Sequence, residues 1–320
     1  MSGPAPEIRG ELELVRRLRT ILTAAGQHAP DGSGLARVAF GDDMAALDAA
    51  DPGLLWTVDM LMDGVDFDSR THPWRAIGRK AMAASLSDCA AMAAAPLAAL
   101  CAVSLRNALA MDDALDLVRG AHECGLRFGC PIVGGDTNSW DAPTVISISV
   151  AARVPPGLHP VPRDGARPGD RIWLTGPVGG SLLGRHMTFE PRIAAALEIS
   201  RHLGPHAMID ISDGLALDLG RILEASGCGA VLDAAALDAA IHPDAVRLAA
   251  RDGRSPRDHA LHDGEDFELI VVAPADVASS AGDRLNLLPL GQIVACPGLV
   301  LRDAAGACTP IPLRGWEHFR

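Results

Sequence analysis

A chain of 320 residues with 28 basic against 40 acidic side chains, a net charge of -12, repels a phosphate backbone, and no basic stripe is set apart to reverse this, which argues against a nucleic-acid partner. Its 48% hydrophobic content leans on alanine, valine and leucine, with no tyrosine and 3% aromatics; small-residue, helix-rich interiors and two domains of about 150 residues are expected. Seven cysteines, odd in number and without a CxxC pair, exclude a disulfide framework or zinc knuckle and predict a reduced, cytoplasmic setting.

The first residues carry Glu7, Arg9, Glu11 and Glu13 in place of a basic start and apolar core, so a secretory signal is not expected. Apolar spacing predicts a helix over residues 11–25. A strand is expected at 38–40, leading into Gly41-Asp42-Asp43, and another at 54–58, delivering Asp59 at its end. Residues 74–95 read as a long helix with Ala81, Ser85, Asp88 and Met92 on one face. The apolar stretch 81–103 is broken by Asp88 and Pro96, and a central aspartate costs about 2.5–3.5 kcal/mol in a bilayer, so no membrane span is predicted. A helix at 112–124, a short strand at 131–133 ahead of Gly134-Gly135-Asp136, and an alternating strand at 144–154 complete the first half.

The proline- and glycine-rich stretch 155–170 predicts the domain boundary, giving domains 1–154 and 155–320. Strands are expected at 172–175, 207–211, 267–272 and 288–294, with a hairpin over 300–310. The glycine-rich turn 176–184 is expected to open a helix, and Ser212 or Asp213 to cap another helix over 215–226 that Gly227 ends.

Aspartates and glutamates gather at these element ends. Each alone reads as a cap or turn residue; together, without matching bases, they predict a hard divalent cation. The single lysine, Lys80, lies within a helix, which excludes a P-loop and the kinase pattern with lysine on a strand, so metal ions would have to supply most positive charge to a nucleotide. Gly176-Pro177-Val178-Gly179-Gly180 is read either as a phosphate cradle or as a tight turn. The eleven histidines show no paired metal spacing, and Ser212 has no GxSxG context.

In order, Gly41-Asp42-Asp43, Thr57-Val58-Asp59, Leu86-Ser87-Asp88, Gly134-Gly135-Asp136-Thr137, Arg163, Asp210-Ile211-Ser212-Asp213-Gly214, Gly264-Glu265-Asp266 and Gly315-Trp316 resemble the thiamine-monophosphate kinase family of the aminoimidazole ribonucleotide synthetase-like superfamily. The resemblance implies an α/β (α+β) two-domain fold, a homodimer whose N-terminal sheets join in a β-barrel, and ATP-dependent phosphorylation of thiamine monophosphate with several Mg2+ ions. It implies metal ligation by Asp43, Thr57, Val58, Asp59, Asp88, Asp136, Asp210 and Asp213, nucleotide contacts from Gly135, Asp136, Arg163 and Ser212, and a thiamine end held by Glu265 and Trp316. Asp136, Arg163 and Asp213 would carry the chemistry.

The chain departs from the family at Asp66, where a histidine is usual, and at Asn138, where Arg or Lys often follows the GGDT motif. Asp66 is expected on the substrate side, either binding a further metal or marking an altered acceptor pocket. Two rivals stand beside the kinase: another member of the superfamily, and a non-catalytic nucleotide- or metal-binding module.

Overall fold

The computed structural model describes residues 36–38, 44–47, 54–275, 282 and 284–317, with side chains of 36–38 and 45–47 excepted. The predicted helix at 11–25 and the Asp42-Asp43 turn lie outside them. The first half builds a six-stranded sheet from β1 (Ala36–Val38), β2 (Ala45–Leu47), β3 (Leu54–Met62), β4 (Ala95–Arg106), β5 (Ile132–Trp140) and β6 (Val145–Arg153) in the order β1-β2-β3-β6-β4-β5. All its pairs are antiparallel except β4–β5. Among the described residues the sheet is open, ending on β1 and β5, and does not close into a barrel.

One face of this sheet is covered by α1 (Trp74–Ala91) and α2 (Met111–Arg127). Alanines at 81, 83, 84, 90 and 91 keep α1 slender and buried, and glycines set its distance from α2. A Cβ on Gly78 would meet the Leu117 carbonyl oxygen at 1.8 Å, and one on Gly120 the Arg75 carbonyl oxygen at 1.9 Å. The helices therefore cross backbone to backbone. α1 stops four residues before the predicted end because Ala93 turns into the left-handed region, φ 52°, and Pro96 enforces extended backbone ahead of it.

Seven strands form the second sheet: β7 (Arg171–Leu174), β8 (Ala207–Asp210), β9 (Gly229–Asp233), β10 (Leu269–Ala273), β11 (Leu288–Val294), β12 (Gly298–Arg302) and β13 (Cys308–Pro310), ordered β13-β12-β9-β11-β7-β10-β8. The predicted hairpin is the β12–β13 pair. Its helices are α3 (Ile193–Leu203), α4 (Leu215–Ser226), α5 (Ala234–Ala239), α6 (Pro243–Asp252) and α7 (Pro256–His262). Alternation along the central strands splits their side chains between two cores: Trp173, Leu269 and Val271 join the core beneath α1 and α3, whereas Ile172, Leu174, Ile270 and Val272 pack with α4. α1 touches strands of both sheets, β3, β4 and β6 of the first and β8 of the second. It is the wall that the two halves share.

Candidate active site

A cavity of about 530 Å3 opens where α1, β3 and the end of β8 converge. It is lined by Thr57, Val58, Asp59, Asp66, Asp88, Arg163, Asp210, Ser212, Asp213, Glu265 and Trp316, eleven of the residues predicted from sequence, and by Lys80, Ala84 and Arg221 among others. Six carboxylates face three cations in this lining. An excess of partly buried negative charge is costly unless cations enter, and the donor set is hard oxygen, suited to Mg2+ over zinc or copper. Among the described residues no three His, Cys, Asp or Glu side chains form a ready-made cage; Mg2+ ordinarily takes one or two carboxylates and completes its shell with substrate phosphates and water.

Local structure explains how each group arrives. Lys80, Ala84 and Asp88 are spaced by four on α1 and share its cavity-facing side, a different stripe from the predicted one, whose Ala81, Ser85 and Met92 are fully buried. The Thr57 hydroxyl donates to the Asp88 carboxylate, and the buried Ser87 hydroxyl donates to Asp210 Oδ2 at 2.6 Å. These two bonds join α1 to one strand of each sheet. Arg163 rides on the 155–170 connector, whose backbone is fastened to Ser226 at the end of α4, with Ser226 Oγ donating to the Arg163 carbonyl at 3.0 Å.

Asp213 precedes α4, but neither it nor Ser212 caps that helix; Gly214 occupies the N-cap. The cap comes from inside the helix, where Asp218 accepts from the backbone N–H groups of Asp213 and Gly214, each at 3.0 Å. Burial pushes the Asp218 carboxyl up to about 7 against the pull of Arg221. Arg221 grips Asp218 and also donates to Asp213 Oδ2 at 2.5 Å, which aims the Asp213 carboxylate at the cavity. The terminal segment lies against the same turn: Trp316 N–H donates to the Asp213 carbonyl at 2.8 Å, and a Cβ on Gly315 would sit 2.3 Å from that oxygen. Only glycine lets the half-exposed Trp316 reach the mouth.

The acidic loop 263–268 divides its work. Glu265 N–H donates to the Ser212 carbonyl at 2.7 Å and Phe267 N–H to the Ile211 carbonyl at 2.8 Å, while Glu265 and Phe267 both sit at positive φ, 61° and 52°. Such backbone costs about 1–3 kcal/mol per residue and persists where its surroundings over-determine it. Glu265 points into the cavity, bonded to Lys80 Nζ at 2.5 Å. Burial works against its charge, yet the bond from His186 and the nearby Lys80 outweigh burial and hold its pKa below the ordinary glutamate range. Asp266 points the other way and accepts from Gly179 N–H and from Arg185, both at 2.7 Å. Gly180 N–H donates to Asp263 at 3.0 Å. The glycine turn is thus occupied by the protein's own carboxylates. It leads into short 3-10 turns, Ser181–Leu183 and Arg185–Met187, in place of the predicted helix.

Two predicted positions among the described residues, Gly135 and Asp136, lie apart from the cavity. β3 runs to Met62 and β5 to Trp140, so Asp59 and Asp136 sit within strands, not at their ends as expected. Registers connect Asp59 through Ile148 and Cys101 to Gly135, and Met60 through Ser147 and Ala102 to Asp136. Side chains at successive positions face opposite sides, and so Asp136 is exposed on the open face of the sheet, away from Asp59. Asp66 Oδ2 accepts from Met62 N–H at 2.7 Å and closes the turn after β3. Lys80, Asp218 and Arg221 are not among the residues expected from sequence; the one lysine of the chain, two helical turns before Asp88 on the same helix, was the available signal.

A family model described as AIR synthase related protein, N-terminal domain, matches residues 41–154. Thiamine-monophosphate kinase of Rhodopirellula baltica is 39% identical over 292 residues, covering 88% of this chain and 91% of that protein. The crystal structure of thiamine-monophosphate kinase from Stenotrophomonas maltophilia K279a superposes with a TM-score of 0.69 at 29% identity, over 94% of this chain and 98% of that one. AaThiL complexed with AMPPCP and TMP shares the fold, with a TM-score of 0.83 at 24% identity over 98% of this chain and 100% of that one. With the 39% identity held over most of its length, the chain belongs to the thiamine-monophosphate kinase family.

Proposed function

We infer that the protein transfers the γ-phosphoryl group of ATP to the phosphate of thiamine monophosphate, giving thiamine diphosphate and ADP. The bond from the γ-phosphorus to its bridging oxygen breaks as an acceptor phosphate oxygen bonds to that phosphorus. The acceptor is already anionic at neutral pH, so placement and charge balance matter more than a general base. The observation that carries this reading is the single cavity that gathers Thr57, Asp59 and Asp88 from one half with Arg163, Asp210, Asp213 and Glu265 from the other. The names of the relatives and the AMPPCP and TMP of the AaThiL complex support the same pair of substrates.

Thr57, Val58, Asp59, Asp88, Asp210 and Asp213 would hold several Mg2+ ions, with Asp43 a further ligand outside the described residues. Bound there, Mg2+ supplies positive charge that offsets repulsion between the two phosphates. Arg163 and Ser212 contact the nucleotide, Arg163 balancing charge on the transferring group. Glu265 and Trp316 hold the thiamine end, and Asp66 lines the acceptor side. Domains 1–154, metal- and ATP-binding and dimer-forming, and 155–320 follow the break in the connector. The open face of the first sheet exposes Trp56, Val58, Met60 and Leu100, a surface suited to a second copy, whose docking would bring Gly135 and Asp136 into the assembled site and create the barrel. Seven unpaired cysteines suit a cytoplasmic setting, and among the described residues no helix is long and apolar enough to cross a membrane.

The test is label transfer from γ-labelled ATP to thiamine monophosphate at saturating Mg2+. Labelled thiamine diphosphate is expected. Nucleotide binding without any labelled product would overturn the kinase in favour of a binding module, and transfer to another phosphate ester would move the activity elsewhere in the superfamily.

A further inference from the structure

Of the 28 basic residues all but Lys80 are arginine, and that lysine is 1% exposed in the cavity wall. Its ammonium donates to the Asp66 carbonyl oxygen and to Glu265 Oε1, and it lies 3.2 Å from His186 Nδ1. The same Nδ1 is 3.1 Å from Glu265 Oε2. One ring nitrogen cannot accept from an ammonium while donating to a carboxylate. The carboxylate is the stronger acceptor, so Nδ1 carries the proton and donates to Oε2 while Lys80 holds Oε1. Glu265 is thereby gripped on both oxygens. The His186 ring is braced edge-on by His72, with centroids 5.8 Å apart.

Resting on the reading that Asp66 and Glu265 line the acceptor end, we propose that Lys80 is a positioning residue that fixes the Glu265 carboxylate against the turn at Asp66 and so sets recognition of the acceptor substrate. A chain that uses arginine everywhere else keeps lysine here for a geometric reason. The two acceptors come from separate elements, the turn after β3 and the loop after α7, and a compact ammonium can turn one proton to each beside the His186 ring, whereas the planar guanidinium fork suits two acceptors in one plane. The strained Glu265 backbone, φ 61°, keeps the carboxylate within reach of this grip. Without the lysine, Glu265 would retain one anchor, His186, and swing.

The test is steady-state kinetics of the full-length chain with the two substrates varied separately, in Lys80→Met, His186→Asn, Glu265→Gln and the Lys80→Met/Glu265→Gln double variant. Lys80→Met should raise KM for thiamine monophosphate by about 10- to 100-fold, the worth of a hydrogen bond to a charged group, leaving KM for ATP within about twofold. His186→Asn should shift the same parameter less, and it decides the matter if Lys80→Met does not fold. The double variant should be no worse than the worse single variant, because both act through one carboxylate. An unchanged acceptor KM in folded Lys80→Met, equal rises in both KM values, or additive effects in the double variant would overturn the inference. A wild-type chain that transfers no label overturns the kinase reading and this inference with it, an outcome distinct from the others.

Discussion

Two groups of acidic residues, nearly adjacent in space, are used in opposite ways. Around the cavity, Asp88 and Asp210 take hydrogen bonds from Thr57 and Ser87, neutral donors that orient a carboxylate and leave its charge intact. Behind the cavity, Asp266 is met by Arg185 and a backbone amide, and Glu268 by Arg192 and Thr175. Those charges are balanced within the protein. Clustering in sequence does not separate the groups; their place in the fold does. Asp266 and Glu268 commit their arginine pairs to the fold behind the cavity, whereas Arg221 holds Asp213 within the cavity lining itself.

The sharpest way to break this contrast is to neutralise one member of each group. Asp88→Asn should lower turnover by at least about 100-fold, comparable to losing one preorganised electrostatic group, with little change in the denaturant midpoint; full activity would remove Asp88 from the site. Asp266→Ala should do the reverse. It strips a buried partner from Arg185 and from the glycine turn, and a loss of about 1.5–3 kcal/mol in equilibrium unfolding is expected. An unchanged unfolding curve would show that this group carries no structural weight.

A smaller effect sharpens the comparison at Glu265, which belongs to both groups. Its folded pKa is depressed by His186 and Lys80 in spite of burial, so its contribution to stability is present above the ordinary glutamate range and fades as pH falls through the folded value. Thermal unfolding followed down that acid limb should show a steeper decline in the wild type than in Lys80→Met. Parallel limbs would mean that the ion pair does not set this pKa.

Much of the cavity was legible in sequence because its residues travel with glycine, serine and threonine at turns, where chain reversal is written locally. The ends of β3 and β5 were not. Strand length and facing depend on pairing partners, and the irregular register of β4 on β5 between Ala99 and Leu100 decides which side Asp136 faces. No local pattern contains that information. Lys80 was read only as the absence of a P-loop, since its partners Glu265 and His186 lie 185 and 106 residues away. The Asp218 cap was hidden for another reason: a residue inside a helix reached back over the first turn to do what the preceding residues were expected to do.

Because Lys80 and Asp88 project from the same side of one buried rod, eight residues apart, the separation along it between the proposed acceptor wall at Lys80 and the proposed metal ligand Asp88 is fixed at about 12 Å by helical rise. α1 is therefore a ruler. Inserting a single residue between them would turn one end by about 100° relative to the other, leaving every side chain present and the two reactants out of step.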